Sequence, residues 1–438
     1  MLFLKKSRVQ VPAFKGEITA FASLLFLVLL SLIGAIFESA FIHIEKNQNF
    51  VDTSLALESV FAEYHKDLFE EYGILARLGS DEEGVSSRLS FYGAGQMEHH
   101  IQSFCLLTDV QGICFYKQAV QYEKESMGLS DFSFGTELEF EEETESTMEE
   151  VEWQIAKEDV ELPENDNPIS TVQNLKKRDF LSTLLVDSSE LSNKSVSLNE
   201  LPSKRTLSKG NWKETENLKL TDRAFFVAYL KEHFSNKVET KEDRALDYEM
   251  EYLIGGKQSD RENLSAACKR ILQIRMVANY TYLLTDSVKR SEAKTLATTL
   301  SVLMEVPALE GVLEQGILLA WAYGEGIVDV RGLLKGNRVP LMKTAETWQL
   351  QLSNLATIGT SNEVTGQKDM KDGLSYQDYL TGLLLLEKPE TLSMRSLDLI
   401  ENNLRIKTDQ CITKIQIESE TRLRRGILQK FTTKYGYR

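Results

Sequence analysis

The sequence predicts an α+β protein that is mainly α-helical, with one amino-terminal membrane helix continuing into a stalk helix and a small antiparallel sheet in the ectodomain. Three observations support this fold class. Residues 18–37 form an uncharged apolar run. Apolar residues then recur at three- and four-residue steps through much of the chain, which is typical of helices. Two short segments, 101–107 and 411–418, have the residue types and alternation of strands.

The composition is that of a globular protein: 438 residues, of which 42% are hydrophobic and 26% are charged. The formal net charge is −16, although bases concentrate at the two ends of the chain. Nucleic acid is therefore not expected as a partner, because a polyanion would meet a net-negative body. Four cysteines in a chain of this length are not the disulfide framework of a small secreted domain.

An uncharged run of twenty residues, Ile18–Phe37, follows a segment that carries four bases and no acid. As a helix it is about 30 Å long, the thickness of the hydrocarbon core of a bilayer. A signal peptide has a shorter apolar region and a small-residue cleavage site, so the run predicts a permanent anchor. The bases keep the amino terminus in the cytoplasm, with the bulk of the chain extracellular; they are Lys5, Lys6, Arg8 and Lys15.

Glu38 ends the apolar run, and two interpretations of it stay open. Its carboxylate reaches the outer headgroups, where an ionisable group costs little, or it pairs with a partner helix in an assembly. Small residues nearby, Gly34, Ala35, Ser39 and Ala40, allow another membrane helix to approach closely. These five positions form the predicted helix-packing site.

The chain divides into six predicted segments. They are a basic cytoplasmic leader (1–16), the membrane helix (17–44), a stalk helix (45–79), a strand, turn and helix (80–129), an acidic flexible insertion (130–219), and a helical ectodomain with a carboxy-terminal strand and a basic tail (220–438). The stalk is expected to end at Gly73 or Gly79. The insertion is predicted to be flexible because its run 137–166 holds fourteen acids and one base.

The acidic run has a second interpretation as a calcium site. An EF-hand loop needs Asp or Asn at alternate positions, a central Gly and a closing Glu. The run has mainly Glu and no central Gly, so no metal is expected there.

Helix starts in the last segment are indicated by capping residues and by proline. They are Thr221 or Asp222, Ser259 or Asp260, Pro307, Ser375 and Thr391. The apolar stretch 316–324 is too short for a second membrane span and predicts a buried helix. In the same helix Glu325 and Asp329 form an i, i+4 carboxylate pair, which on a concave face could bind a metal or do acid–base work. The pair is interpreted mainly as acids on the helix surface, or as acids that meet bases elsewhere in the fold. Asp329 and Arg331 are two apart and should not face each other.

The search for chemistry finds no catalytic motif. The five histidines form no zinc-binding spacing, there is no C-x-x-C, and Gly255–Gly256–Lys257 lacks the rest of a phosphate loop. The sequence thus predicts no catalytic residue, metal or cofactor, and the protein is not expected to be an enzyme. Cys105 is a candidate for a disulfide with Cys411, if strands 101–107 and 411–418 pair, or with Cys114. Both pairings stay open. So does the interpretation that all four cysteines act as small apolar residues.

The opening KGEITAFASLLFLVLLSLIGAIFESA and the following VFAEYHKDLFEEYG resemble an uncharacterised family of cell-surface proteins from Gram-positive anaerobes. Later segments resemble the same family, among them EYLIGGKQSDRENL, ILLAWAYGEGIVDVRGLLKGNRVPLMK and GLSYQDYLTGLLLL. The likeness covers about 1–125 and 245–420 and leaves 130–240 without a counterpart. The amino terminus of this family is similar to minor pseudopilins of Tad (tight-adherence) pilus systems.

The pseudopilin likeness implies a cleavage site between Gly16 and Glu17, after a short basic leader. Pilin-type signals often also carry Glu at the fifth mature position, where this chain has Phe21. An uncleaved chain would still join an assembly through its membrane helix.

The resemblance and the membrane anchor together imply a structural or assembly protein of a Tad-type pilus or secretion system. Its expected partners are the membrane, pilus proteins or other membrane helices, and a second copy of itself. A cell-surface binding module is the alternative function, and an extracellular hydrolase is the third.

Overall fold

The computed structural model describes residues 15–79, 82–129, 167–185, 191–213, 220–358 and 369–437. Over these residues the protein is mainly helical with a small antiparallel sheet, which confirms the predicted fold class. Contacts divide the chain into two compact units. Unit 1 is formed within Met1–Glu63, Gly79–Phe104 and Lys414–Gly436, and unit 2 within Tyr64–Leu78, Cys105–Thr413 and Tyr437–Arg438.

The helices are α1 (Lys15–Phe61), α2 (Lys66–Tyr72), α3 (Glu82–Leu89), α4 (Asp109–Ser126), α5 (Pro168–Lys177), α6 (Phe180–Leu184), α7 (Leu220–His233), α8 (Glu249–Gly255), α9 (Asp260–Thr285), α10 (Ser287–Leu303), α11 (Glu310–Leu334), α12 (Tyr376–Leu386) and α13 (Pro389–Leu404). The strands are β1 (Arg77–Leu78), β2 (Glu98–Leu106), β3 (Cys411–Arg422) and β4 (Leu428–Gly436). Strand β3 has β1 and β2 as neighbours and pairs antiparallel with β4 over residues 414–422.

Unit 1 consists of α1 together with a hairpin of β3 and β4, the adjoining part of β2, and α3. The last two turns of α1 bury Ala56, Leu57 and Val60 completely. The Phe61 ring lies 4.8 Å from that of Tyr435 on β4. These aromatic and aliphatic contacts attach the carboxy-terminal end of α1 to the sheet.

Unit 2 is a helical core built around α11, which packs against α9 and α10. The α9–α11 crossing is close because Gly326 has no side chain, and a Cβ there would lie 2.7 Å from Leu272 Cδ1. Trp321 on the same helix is 1% exposed and donates from Nε1 to the Leu350 carbonyl at 2.8 Å. The apolar stretch 316–324 is therefore part of the buried core of unit 2, as predicted.

Several predicted elements are confirmed. Strand β2 is followed by a turn in which Val110, Gln111 and Gly112 have positive φ, and then by the rest of α4. Strand β3 covers the predicted segment 411–418 and lies beside β2. Ser259 caps α9 and Ser375 caps α12, each in a capping box with the acidic residue three positions later.

Three expectations are wrong. The helix that leaves the apolar run ends at Phe61, and only the short α2 reaches the predicted stop at Gly73. Residues 167–185 and 191–213 of the predicted insertion are ordered and bury apolar side chains in unit 2, whereas the acidic run 137–166 lies outside the described residues. The predicted basic tail is strand β4. In smaller differences, α13 starts at Pro389 and Pro307 opens a 3₁₀ turn before α11.

Candidate functional site

The amino-terminal half of α1 is the first candidate site. Within the described ranges, α1 is the helix that is long and apolar enough to cross a membrane. Its large apolar side chains from Ile18 to Phe37 are 47–68% exposed. A contiguous apolar surface of this size marks contact with a membrane or a partner, and its length fits a membrane anchor or a signal sequence.

The predicted helix-packing residues lie on this bare part of α1. Gly34, Ala35, Ser39 and Ala40 are exposed, and a Cβ added to Gly34 would meet no described atom within 4 Å. With about 100° of rotation per residue, the first three lie on the same side of the helix as Glu38, whereas Ala40 lies on the other side. Their role in contact with another helix stays a prediction.

Glu38 has a partner in its own chain. Its carboxylate forms an ion pair with Arg425, in the turn between β3 and β4. The side chain of Arg425 is 74% exposed and that of Glu38 is 30% exposed, so the pair lies at the surface of unit 1. This intramolecular pair adds a third interpretation to the two that the sequence left open.

The predicted processing residues Gly16 and Glu17 lie in the first turn of α1, which begins at Lys15. Their side chains are outside the described part of the structure. Cleavage between them stays a prediction.

A buried ion cluster in unit 2 contains the predicted carboxylate pair. Lys343 Nζ lies 2.6 Å from Glu325 Oε1 and 2.7 Å from Asp329 Oδ1. Arg275 Nη2 lies 2.9 Å from Asp329 Oδ2, and all four side chains are 0% exposed. We refer to these residues, Arg275, Glu325, Asp329 and Lys343, as the buried ion cluster.

The carboxylates of this cluster are held by bases from elsewhere in the fold, which is one of the interpretations that the sequence left open. Glu325 also accepts hydrogen bonds from backbone N–H groups, including that of Leu350 at 2.7 Å. Burial raises the pKa of Glu325, and the charge of Lys343 opposes this shift. Arg331 points elsewhere and donates to the carbonyls of Thr183 and Ile358 at 2.6 and 2.7 Å. All four side chains are fully buried, so the cluster presents no group to a substrate.

Another buried carboxylate, that of Glu251 on α8, was missed by the sequence analysis. Its Oε1 accepts from the Tyr376 hydroxyl at 2.8 Å and from the Lys237 backbone N–H at 3.0 Å. Its Oε2 is buried without a hydrogen-bond partner among the described atoms. Burial raises the pKa of Glu251 to about 7. No local signal marks this residue, because Tyr376 is 125 residues away in the sequence.

The cysteines are all buried. The Sγ atoms of Cys105 and Cys114 lie 2.7 Å apart, whereas Cys411 Sγ contacts the Lys407 carbonyl oxygen at 3.4 Å. The hydrogen bond with Cys114, together with burial, raises the pKa of the Cys105 thiol. Of the two disulfides that the sequence left open, this geometry favours Cys105–Cys114.

Across the described ranges, no group of three or more His, Cys, Asp or Glu side chains is arranged to hold a metal ion. His99 is buried and contacts Ser419 Oγ at 2.9 Å, whereas His100 is exposed beside Glu82. The two adjacent histidines thus point to opposite faces of β2, which is poor geometry for one metal ion. The calcium alternative concerned residues 137–166, which lie outside the described residues.

Comparison with known protein families matches residues 158–423 to a family of unknown function, DUF5702. This match covers more than half of the chain. The chain belongs to the DUF5702 family. No curated protein and no solved structure matches it.

The DUF5702 match confirms the coarser part of the predicted resemblance, which is membership of a family of unknown function. It corrects the extent of the family likeness, because it includes residues 158–240, which the resemblance left without a counterpart. It does not include residues 1–125, whose amino-terminal part carries the likeness to pseudopilins. The buried ion cluster and Glu251 both lie inside the DUF5702 region.

The DUF5702 region also contains a surface cavity of about 450 Å³. Three cationic side chains line it, Lys176, Arg178 and Lys269. The carboxylate of Asp179, also in the lining, lies 2.9 Å from Arg261 Nη2. The cavity is therefore positive although the chain as a whole is negative, and this charge favours an anionic ligand.

Proposed function

We propose that this DUF5702 protein is a single-pass membrane protein whose folded units lie outside the cytoplasm and serve a structural or assembly role. One observation carries the proposal. Helix α1 is continuous from Lys15 to Phe61. Its apolar side chains over residues 18–37 are exposed, and its last turns pack against the rest of unit 1. A helix that anchors and also belongs to the folded unit fixes that unit at the membrane surface.

The assembly is proposed to be a Tad-type pilus or secretion system. The likeness of residues 16–39 to pseudopilins supports this assignment, and so does the order of basic leader, apolar helix and ectodomain. The bare face of α1 with Gly34, Ala35 and Ser39 suits contact with another membrane helix. A pilus component or a second copy of this chain would supply that helix.

Extraction and protease treatment test the anchor and its orientation. Alkaline carbonate should leave the full-length protein in the membrane pellet, and protease added to intact cells should remove an epitope fused to its carboxy terminus. A cytoplasmic marker in the same cells should resist the protease. Release by carbonate would contradict the anchor, and protection of the epitope would contradict the orientation.

A cell-surface binding module is the second candidate, and the positive cavity favours it. The probes are small sugar acids and dicarboxylates, with neutral sugars of the same size as controls. If the cavity binds, an acid should raise the thermal midpoint of the wild type and not that of K176Q/R178Q/K269Q. Deletion of residues 137–166 tests a second form of this alternative, in which the acidic run captures the ligand; an unchanged ligand capture would contradict it.

The hydrolase alternative depended on a Glu325–Asp329 pair with perturbed pKa values that lies in a cleft. Both carboxylates are buried and paired with Lys343 and Arg275. No observation on the described residues favours this alternative.

A further inference from the structure

The β3–β4 hairpin runs along α1 toward the membrane end of the helix. The Phe431 ring lies 5.8 Å from the Phe50 ring. Two residues nearer the turn, Gln429 donates to the Lys46 carbonyl at 3.1 Å and accepts from Asn49 Nδ2 at 3.1 Å. Residues nearer the turn of the hairpin therefore contact residues nearer the amino terminus of α1.

The turn itself reaches the end of the apolar run. The Arg424 guanidinium lies 5.3 Å from the centre of the Phe41 ring. Arg425 forms the ion pair with Glu38, the residue that ends the uncharged run 18–37. If that run spans the bilayer, as proposed above, these contacts hold the turn at the level of the outer headgroups.

The turn has the chemistry of a surface that contacts anionic lipid. We name residues 422–428 the basal turn; they include Arg422, Arg424 and Arg425 and no acid. Ile427 is 40% exposed and Leu428 is 49% exposed. A guanidinium donates two parallel hydrogen bonds to phosphate oxygens, and exposed aliphatic side chains enter the boundary between headgroups and acyl chains.

The backbone of the basal turn keeps these side chains outward. The Leu423 N–H donates to the Ile427 carbonyl at 2.8 Å, and the Leu423 side chain is buried. Arg425 and Gly426 both have left-handed φ, 60° and 76°. Residues 424–428 are all exposed as a result.

We propose that the basal turn binds the phosphate headgroups of anionic phospholipids in the outer leaflet. This inference rests on the proposed anchor, because α1 determines where the turn lies. An acidic partner protein is a less suitable occupant, since Ile427 and Leu428 lie beside the arginines and would gain little from an acidic surface. The contact would fix the folded unit against the membrane, in addition to the anchor.

Lipid binding by the full-length protein in a neutral detergent tests the proposal. The probes are phosphatidylglycerol and phosphatidylcholine, and native mass spectrometry measures the bound fraction against lipid concentration. The test variant is R422Q/R424Q, which keeps the Arg425–Glu38 pair. The control is R88Q/K434Q, which removes the same charge from other parts of unit 1.

The wild type and the control should bind phosphatidylglycerol more tightly than phosphatidylcholine. The test variant should lose about 25-fold of that preference, because each arginine near an anionic surface contributes about fivefold. Raising the salt from about 0.05 M to about 0.5 M should weaken the wild-type preference without any substitution, since salt screens surface charge.

Equal binding of both lipids by the wild type, or an unchanged preference in R422Q/R424Q, would overturn the proposal. The proposal would also be overturned if R422Q/R424Q lost an acidic co-purifying protein but kept its preference for phosphatidylglycerol. Carbonate extraction of the same proteins reports on the anchor separately. A carbonate-resistant wild type without a lipid preference would therefore refute the basal turn alone, and a carbonate-soluble wild type would refute the anchor.

Discussion

Lys343 forms ion pairs with two buried carboxylates in the DUF5702 core, and Arg275 supplies the second positive charge of the cluster. Lys343 Nζ is within 2.7 Å of both Glu325 and Asp329. Breaking a buried ion pair leaves an uncompensated charge in a region of low dielectric, which costs about 3–5 kcal/mol. Asp329 keeps Arg275 as a partner, so the lower end of this range is expected.

The substitution Lys343→Met should therefore lower the free energy of unfolding by about 3 kcal/mol. Denaturant unfolding of the full-length protein, followed by tryptophan fluorescence, measures this change, since Trp321 and Trp348 lie in the same unit. Lys335→Met is the control: Lys335 is exposed, and its loss should change the free energy of unfolding by less than about 0.5 kcal/mol. Equal effects of the two substitutions would contradict the role of the cluster.

Glu251 predicts a specific pH dependence. Its pKa is raised from 4.5 to about 7 in the folded protein, so between these values the folded state holds a proton that the unfolded state has released. The contribution of Glu251 to the free energy of unfolding should then decrease as pH rises from 4.5 to 7 and stay low above 7. A shift of this size corresponds to about 3 kcal/mol.

Glu251→Gln removes this titration and should flatten the stability profile. The free energy of unfolding, measured on both proteins at pH 5 and pH 8, should decrease less in the variant than in the wild type, by up to about 3 kcal/mol. Glu346→Gln, at an exposed position, should keep the wild-type slope. Parallel profiles for E251Q and the wild type would show that Glu251 is not the group responsible.

The Cys105–Cys114 contact predicts a disulfide once the ectodomain is exported. Two thiols would lose two protons and two electrons to a disulfide-form oxidant outside the cytoplasm. Both cysteines lie in one tryptic peptide, residues 89–117, while Cys268 and Cys411 lie in others. After alkylation without reduction, the 89–117 peptide should be unlabelled and the other two labelled; label on all four would exclude the disulfide.

At the residue scale, spacing predicted that Glu325 and Asp329 share a helix face, but it left open whether they lie at the surface or meet bases from elsewhere. The bases themselves, Arg275 and Lys343, could not be predicted, because tertiary folding brings them in from other segments. Glu251 was missed for the same reason. Its partner Tyr376 lies on another helix, and nothing local distinguishes Glu251 from a surface acid.

At the scale of elements, the bare face of α1 yields a prediction about assembly. Gly34→Leu places a bulky side chain where a neighbouring helix is expected to approach, and it should reduce co-purification with membrane partners. Ala22→Leu is a matched control, since position 22 lies on the other side of the same helix by its rotation of about 100° per residue. Unchanged co-purification of G34L, or an equal loss in A22L, would contradict a partner at this face.

Helices with strong local signals were predicted well, and elements that depend on distant contacts were not. The capping boxes at Ser259 and Ser375 gave the starts of α9 and α12. Residues 167–185 have short apolar segments among polar residues, so their order depends on burial of Leu181 and Leu184 in a distant core. Strand β4 could not be predicted, because apolar and polar residues do not alternate regularly in LQKFTTKYG.

At the scale of the whole molecule, the apolar run predicted the order of the main parts of the chain. Membership of the DUF5702 family assigned no activity to the protein. The fold class followed from periodicity and from two strand-like segments. The division into two units could not be predicted, because it depends on which distant segments share contacts. Strand β3 itself contributes residues to both units. The anchor itself stays a proposal because the apolar length of α1 also fits a signal sequence.

The amino terminus of the protein recovered from cell membranes tests the anchor most directly. Our account predicts a chain that retains the apolar run, starting at Met1 if it is uncleaved or at Glu17 if it is processed like a pilin. Mass spectrometry of the intact protein distinguishes these two forms. A chain starting after Ser39 would mean that residues 18–37 are a signal peptide, and it would contradict the proposed anchor.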